Sequence, residues 1–351
     1  MDTIITTFDL TSTAISSPPI TNERELLSVV TPYAKPEILK SLWQIVNTFI
    51  PFFGIIYLMY LSLATTYWVT FGLSMVAALF FVRIFIMQHD AGHYAFFKSN
   101  TWNDRFGYFC SLFTMIPYYY WRRQHALHHA GNGNLDRRGH GDMDVYTVDE
   151  YLALTKSQKI YYRLYRNPIV FLLFGPLSLF FYINRTCTDP KVYSARDKRN
   201  IWMTNLTILA TFGGIGYLIG YGAFLKIAVP IYFISSSFGI WLFYIQHQFE
   251  HTYWRPNDEW SFVRAAMQGS SLYKLPKILQ WFTGNIGFHH IHHLKPGIPN
   301  YKLEKCYREN PAFHDVFEVT LWSSLKTMFL SVWDPKQERL ISFRELKKLY
   351  T

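Results

Sequence analysis

The sequence predicts an all-α integral membrane protein, with four transmembrane helices in two hairpins and a cytoplasmic helical cap. Three observations predict it. Of the 351 residues 50% are hydrophobic and 19% aromatic, but only 17% are charged, well under the share usual in soluble domains. The apolar residues gather into four blocks long enough to cross about 30 Å of hydrocarbon as helices. Finally, eleven of the 13 histidines fall into four short clusters beside the ends or beyond the limits of those blocks. Collagen, coiled coil and disulfide scaffold are excluded. Cys110, Cys187 and Cys306 are odd in number, far apart and without a CxxC pair, so they read as reduced and structural. The net charge of +10 points to anionic headgroups and acidic proteins as partners. Nucleic acid is not expected, because no basic cluster lies in a binding motif.

Taken as one domain over residues 1–351, the chain opens on a Ser/Thr-rich stretch without the basic start and short apolar core of a secretory signal. Residues 1–30 are therefore expected to be a loosely ordered tail. Ile45 to Leu63 and Tyr67 to Met87 form the first membrane hairpin, residues 45–87. Its one charge, Arg83, is expected to snorkel to the headgroups. Residues 88–200 read as a cytoplasmic and interfacial segment. Ile201 to Phe224 and Ile227 to Ile245, joined by Leu225 and Lys226, form the second hairpin, residues 201–245. Residues 246–351 then make a cytoplasmic cap, in which Leu321 to Trp333 has the spacing of an amphipathic surface helix.

Two shorter apolar runs, Phe106 to Tyr120 and Pro168 to Asn184, contain Pro117 and the Gly175-Pro176 pair. If Pro168 to Asn184 crossed alone, His247 would emerge opposite His89. If both crossed, the His125 cluster would be cut off from the others. Reading both as interfacial or re-entrant leaves four spans, with both termini and all the histidine clusters on one side. Of 34 Lys and Arg, all but Arg83 and Lys226 fall on that side, which the positive-inside rule makes the cytoplasm of a cell membrane.

The histidine clusters carry the chemistry. His89 and His93 stand at i, i+4, on one face of a helix. His125, His128 and His129 form an HxxHH group, expected to converge if the segment is helical. His247 follows the last span, and His289, His292 and His293 repeat the HxxHH spacing. A lone HxxxH is weak evidence, but two HxxHH groups, a pair and a singlet offer nine imidazoles. That exceeds what one zinc uses, so two metals fit the count. Imidazole alone leaves iron, copper, zinc and nickel open. Asp90, Asp104, Asp142, Asp144 and Glu250 are candidates to accept the second ring N–H of a ligand, as well as ordinary loop charges. His251 and His290 stay undecided; His140 and His314 read as solvated.

With these residues the chain resembles the membrane fatty acid desaturases, whose pattern is an HxxxH box and two HxxHH boxes around a di-iron centre. The strings HDAGH, HALHHAGNGNLDRRG, FYIQHQFEHTYW, GSSLYKLPK and GNIGFHHIHHLKPGIPNYKLE are similar to bacterial acyl-lipid desaturases of the Bacillus Δ5 type. The resemblance implies two Fe ions held by His89, His93, His125, His128, His129, His289, His292 and His293, with His247 as a further ligand. It implies O2-dependent removal of two hydrogens from neighbouring CH2 groups of a membrane phospholipid acyl chain, giving a cis double bond. Δ5 is the expected position and Δ12 the alternative. An unactivated methylene has no acidic proton, so a metal oxidant fits it better than acid–base residues. Regioselectivity must come from geometry, and Phe113 to Trp121 and Trp241 to Tyr244 are candidate channel walls, or else interfacial anchors.

The chain shows no His-Pro-Gly-Gly string, no iron–sulfur cysteine spacing and no GxGxxG fingerprint, so an external donor (ferredoxin, flavodoxin or cytochrome b5) is expected. Arg122-Arg123, Arg137-Arg138 and Arg196 to Arg199 are candidate surfaces for an acidic donor or for lipid headgroups. A hydroxylase or ketolase on the same scaffold is the rival reading. A metal transporter, whose ligands belong near the midplane, and a zinc hydrolase fit less well.

Overall fold

A computed structural model describes residues 23–139, 143–187 and 194–350. Among the described residues four helices are long and apolar enough to cross a membrane: Ile38–Ser62, Tyr67–Gly92, Ala195–Ile219 and Tyr221–His247. We call them the first to fourth spans. At 1.5 Å per residue their 25 to 27 residues reach about 37–40 Å, which overshoots about 30 Å of hydrocarbon by several residues. The excess matters, because it carries His89 and His247 to the polar margin. The second span is the most enclosed of the four, packed between its neighbours through Ala77, Phe80, Phe81 and Ile84.

The hairpins close tightly. Residues 63–66 join the first pair, and Gly220 alone separates the second, at φ +86°, a backbone region that glycine enters without a Cβ penalty. The turn expected at Leu225-Lys226 thus lies inside the fourth span. Pro230 has no N–H to give to the Lys226 carbonyl four residues back, and the Tyr67 hydroxyl donates to that carbonyl across the bundle at 3.4 Å.

The two ambiguous runs are bent where their sequence breaks. Helix Asn100–Thr114 stops at Met115, φ +58°, and a new helix, Tyr118–Gly131, starts after Pro117. Lys156–Tyr165 and Pro168–Ile183 meet at 79°, the shape of a re-entrant segment or of a broken fifth span. The cap is mainly short helices, held by two small sheets. Leu330–Asp334 pairs antiparallel with Arg339–Ser342 and parallel with Tyr146–Thr147. Leu272–Lys274 pairs parallel with Glu318–Thr320.

Three expectations need correction. The ordered chain begins before residue 30: Glu23–Val30 is a helix, and Val30 is buried with Ile291, Leu294 and Ile298. The tail expected over 1–30 otherwise falls outside the described residues. The surface helix over Leu321 to Trp333 stops at Thr327, and Trp333 is a buried strand residue; a sheet partner outweighed the helical spacing. Arg83 turns inward instead of snorkelling. Because the span continues nine residues past it to Gly92, the headgroups are out of reach. Its Nε donates to Thr48 Oγ1 at 3.1 Å, Nη1 donates to the Trp281 carbonyl, and the guanidinium lies 3.9 Å from the Trp281 ring centre. It thereby pins helix Lys277–Phe282 of the cap to the membrane bundle.

Replacing Arg83 by Met keeps the length and removes the donors. We expect a loss of about 1–3 kcal/mol, read as a lower thermal transition of the detergent-solubilised chain; an unchanged transition would deny Arg83 this fastening role.

Candidate metal centre

The second span ends with His89 one turn from its C-terminus and His93 as its cap. Helix Tyr118–Gly131 carries His125, His128 and His129, the fourth span ends on His247, and the short helix His289–Leu294 carries His289, His292 and His293. The structure brings all nine together, in two groups. One holds His89, His93, His125, His129 and His292; the other holds His128, His247, His289 and His293. The groups abut, with the His129 and His293 rings stacked at 4.1 Å.

Each HxxHH box is therefore divided, where the spacing had led us to expect three imidazoles converging on one point. Helix geometry explains the division. At 100° per residue, i and i+4 point about 40° apart and clasp one group, while i+3 points about 60° to the other side. His125 and His129 join the first group and His128 the second; in the last box His289 and His293 join the second group and His292 crosses to the first.

Adjacent donors are evenly spaced. In the first group Nε2 of His125 lies 3.0 Å from that of His89 and 3.1 Å from that of His129, which is 3.1 Å from His292. In the second, His247 Nε2 is 3.2 Å from His128 and 2.9 Å from His289, which is 3.1 Å from His293. Donors about 2.1 Å from a common ion stand about 3.0 Å apart at right angles and about 3.4 Å apart in a tetrahedron. The observed spacing fits neighbours around a six-coordinate-type ion, and five donors in one group exceed a tetrahedral set. Protons cannot satisfy the arrangement either. One Nε2 has a single hydrogen or a single lone pair, yet His125 meets two neighbours, and the buried His93 Nε2 has no hydrogen-bond partner. Burial, followed by the neighbouring rings, holds His125, His129, His289, His292 and His293 well below the usual histidine range. They are neutral donors, the form that binds metal.

Of the four carboxylates among the described residues considered as partners for the ring N–H, only Asp90 approaches, with Oδ1 3.5 Å from His89 Nδ1. Its Oδ2 accepts from the Asn300 backbone N–H at 2.7 Å and Nδ2 at 2.8 Å, and Asn300 in turn bonds Gln44 of the first span. Asp104 is held by Arg122 at 2.6 Å and Glu250 by Arg339 at 2.9 Å. Asp144 is exposed, and Asp142 and His140 lie outside the described residues. His251 and His314 are exposed, away from both groups. His290 is buried against Tyr307 and Phe313, is pushed down to about 3 by burial, and belongs to neither group.

The partner sequence reasoning missed is a backbone one. His247 Nδ1 is 3.0 Å from the Gly269 carbonyl, inside the GSSLYKLPK string. Arg166 was missed as well. Buried at the bend between Tyr165 and Pro168, it donates to Gln248 Oε1 at 2.9 Å and the Leu330 carbonyl at 2.9 Å, steadying the residue after His247. Its signal was a charge standing just before the apolar run that begins at Pro168. Gly287 is demanded by close approach, since a Cβ there would collide with the Tyr273 carbonyl, while that residue's N–H donates to the Gly287 carbonyl at 2.8 Å.

On the membrane side the histidines meet aromatic rings. Trp121, one turn before His125, stacks on it at 4.7 Å and touches Phe85, one turn before His89. Phe243, one turn before His247, lies 5.2 Å from His128. Both come from the segments expected to line a channel.

The family model for fatty acid desaturases matches residues 65–323, which include all nine histidines. A fatty acid desaturase of Bacillus subtilis (strain 168) is 43% identical over 327 residues, 93% of this chain and 92% of that protein. An sn-1 acyl-lipid omega-3 desaturase (ferredoxin) of Nostoc sp. is 27% identical over 70% of this chain and 69% of its own. An sn-1 oleoyl-lipid 12-desaturase of Synechocystis sp. is 24% identical, covering 73% and 70%.

If the two groups are separate ion sites, removing one i, i+4 pair should empty one of them. His125→Ala with His129→Ala, and His289→Ala with His293→Ala, are each expected to retain about half the metal of the unsubstituted protein, measured by elemental analysis. Full metal content in both would show that these histidines do not hold it.

Proposed function

The chain belongs to the fatty acid desaturase family, and from that premise we propose that it is an acyl-lipid desaturase placing a cis double bond in a membrane phospholipid acyl chain. The nine histidines are proposed as the ligands of two Fe ions. The observation that carries the reading is the pair of abutting imidazole groups with donors 2.9–3.2 Å apart, set one helical turn beyond Phe85, Trp121 and Phe243. When bound, the di-iron group supplies the O2-dependent oxidation that an unactivated methylene requires. The balance is one CH2–CH2 unit, O2, two electrons and two protons going to one CH=CH unit and two waters.

The chain's own residues fix where this happens. The spans overshoot the hydrocarbon, so an acyl chain rising along Phe85, Trp121 and Phe243 reaches the histidines without leaving apolar surroundings. The rings exclude water and limit how the chain lies, which is the available source of selectivity among equivalent methylenes. We propose Δ5 as the position, from the strings shared with the Bacillus-type enzymes, and Δ12 as the alternative. The two electrons are assigned to an external ferredoxin, flavodoxin or cytochrome b5. The histidine face and both termini are assigned to the cytoplasmic side of the cell membrane.

Expression in a host lacking such unsaturated lipids, followed by mass spectrometry, tests the reaction. The expected product is two hydrogens lighter, with the new bond at carbon 5, and none forms with His128→Ala or His292→Ala although both insert. An added oxygen would instead make the chain a hydroxylase. For orientation, reporters fused after Ala64 and after Gly220 should read as external and one after Lys156 as internal; an external Lys156 would overturn the four-span topology.

A further inference from the structure

An open cleft of about 670 Å³ lies where the first span begins, between residues 34–37, the 94–98 loop and Lys302. Three ammonium groups line it, Lys35, Lys98 and Lys302, with one acid, Glu37. That acid is already engaged: its Oε1 is 2.8 Å from Lys302 Nζ and its Oε2 is 2.8 Å from Lys40 Nζ. Lys302 is further tied down by donating to the Lys35 carbonyl at 2.6 Å. Lys35 and Lys98 are exposed and have no acidic partner among the described residues. The cleft therefore presents two uncompensated cations over a floor that includes the Phe97 ring.

Its depth follows from its rims. Directly after Glu37 the first span turns apolar faces outward, Leu39 79% and Trp43 66% exposed. Four residues beyond Lys98, Trp102 is exposed and carries Arg105 over its ring at 5.2 Å. Tryptophan and arginine in that position mark the boundary between hydrocarbon and headgroups. The inner wall is Tyr94, the residue after His93, held at φ +56° with its hydroxyl accepting from Arg122 Nη1 at 2.6 Å. A cationic cleft thus stands at headgroup depth, and its Tyr94 directly follows in sequence His93 of the group of five histidines. An acidic protein would have to seat itself against Leu39 and Trp43, which belong in lipid; a phospholipid reaches the cleft from within its own leaflet.

We infer that this cleft receives the phosphodiester of the substrate glycerophospholipid, Lys35 and Lys98 pairing with its non-bridging oxygens while the acyl chain extends past Tyr94 toward the histidines. The inference rests on the acyl-lipid reading and names its headgroup site.

Photoreactive phosphatidylglycerol and photoreactive diacylglycerol with the same acyl chains, each presented to the full chain in maltoside micelles, test it without turnover. We expect phosphatidylglycerol to label peptides containing residues 33–37 or 94–98 in preference to diacylglycerol. That preference should fall about fivefold for Lys35→Ala or Lys98→Ala and about thirtyfold for both together. Lys226→Ala, at the far end of the bundle, should leave it unchanged. Equal labelling by the two lipids, a preference surviving in the double variant, or displacement of the label by millimolar inorganic phosphate would each overturn the assignment. So would loss of an acidic electron donor's binding in the double variant with lipid labelling intact, since the cleft would then be a protein dock. Because labelling needs no double bond to form, its failure is separable from failure of the desaturase reading.

Discussion

Eight imidazole nitrogens brought to about 3 Å from a neighbour, with His93 completing the group of five, is the constraint on which the rest of this structure depends. Left to themselves such nitrogens repel, and buried ones forfeit hydration as well. The fold holds them by making four distant segments rigid at the same place. Two are ends of membrane helices, whose positions the bilayer sets, and two are helices of the cap. The buried Asp90–Asn300–Gln44 network, the Arg83 contacts with Thr48 and Trp281 and the Arg166 contact with Gln248 all lie where cap meets bundle. These are expensive groups to bury unless satisfied, and each one fastens a piece of chain close to a histidine.

Division of the HxxHH boxes adds a second constraint. Because each box contributes to both groups, neither group is assembled by one helix with the other left free. A rotation of helix His289–Leu294 that improved the fit of His289 and His293 would move His292 out of the other group. The two groups are coupled through helix geometry itself, without any bridging side chain among those described, and the 4.1 Å stack of His129 on His293 keeps them in contact. Two abutting sites suit a reaction that handles electrons in pairs better than two isolated ones would.

Much of this was legible in the sequence, because apolar length and histidine spacing are local patterns. The four spans and the nine clustered histidines follow from counting residues along the chain. What escaped were consequences of tertiary contact. Arg83 reads as a snorkelling residue until the span is seen to continue to Gly92 and Trp281 to wait beside it. Trp333 fits a helical stripe until Arg339–Ser342 offers it a strand partner. The carbonyl of Gly269 as the partner of His247 is invisible in principle, since every residue has one. Conversely the acids chosen for proximity in sequence, Asp104 and Glu250, are taken by Arg122 and Arg339, as electrostatics would favour in a chain with surplus cations.

The position of the oxidised bond can be argued from the same geometry. Chemically equivalent methylenes are told apart only by distance from a fixed point, and a lipid supplies two: its headgroup end and its methyl end. Were the methyl end the reference, a closed apolar tunnel of defined length would be needed. Were the headgroup the reference, a cationic site on the histidine side of the bundle would suffice, and the proposed cleft is bounded by Tyr94, the residue after His93. A headgroup held there would make the ester end of the chain the fixed point from which the oxidised carbons are counted. On this argument the cleft would suit a position counted from the carboxyl end, and a bond placed by its distance from the methyl end would require the headgroup to be held elsewhere.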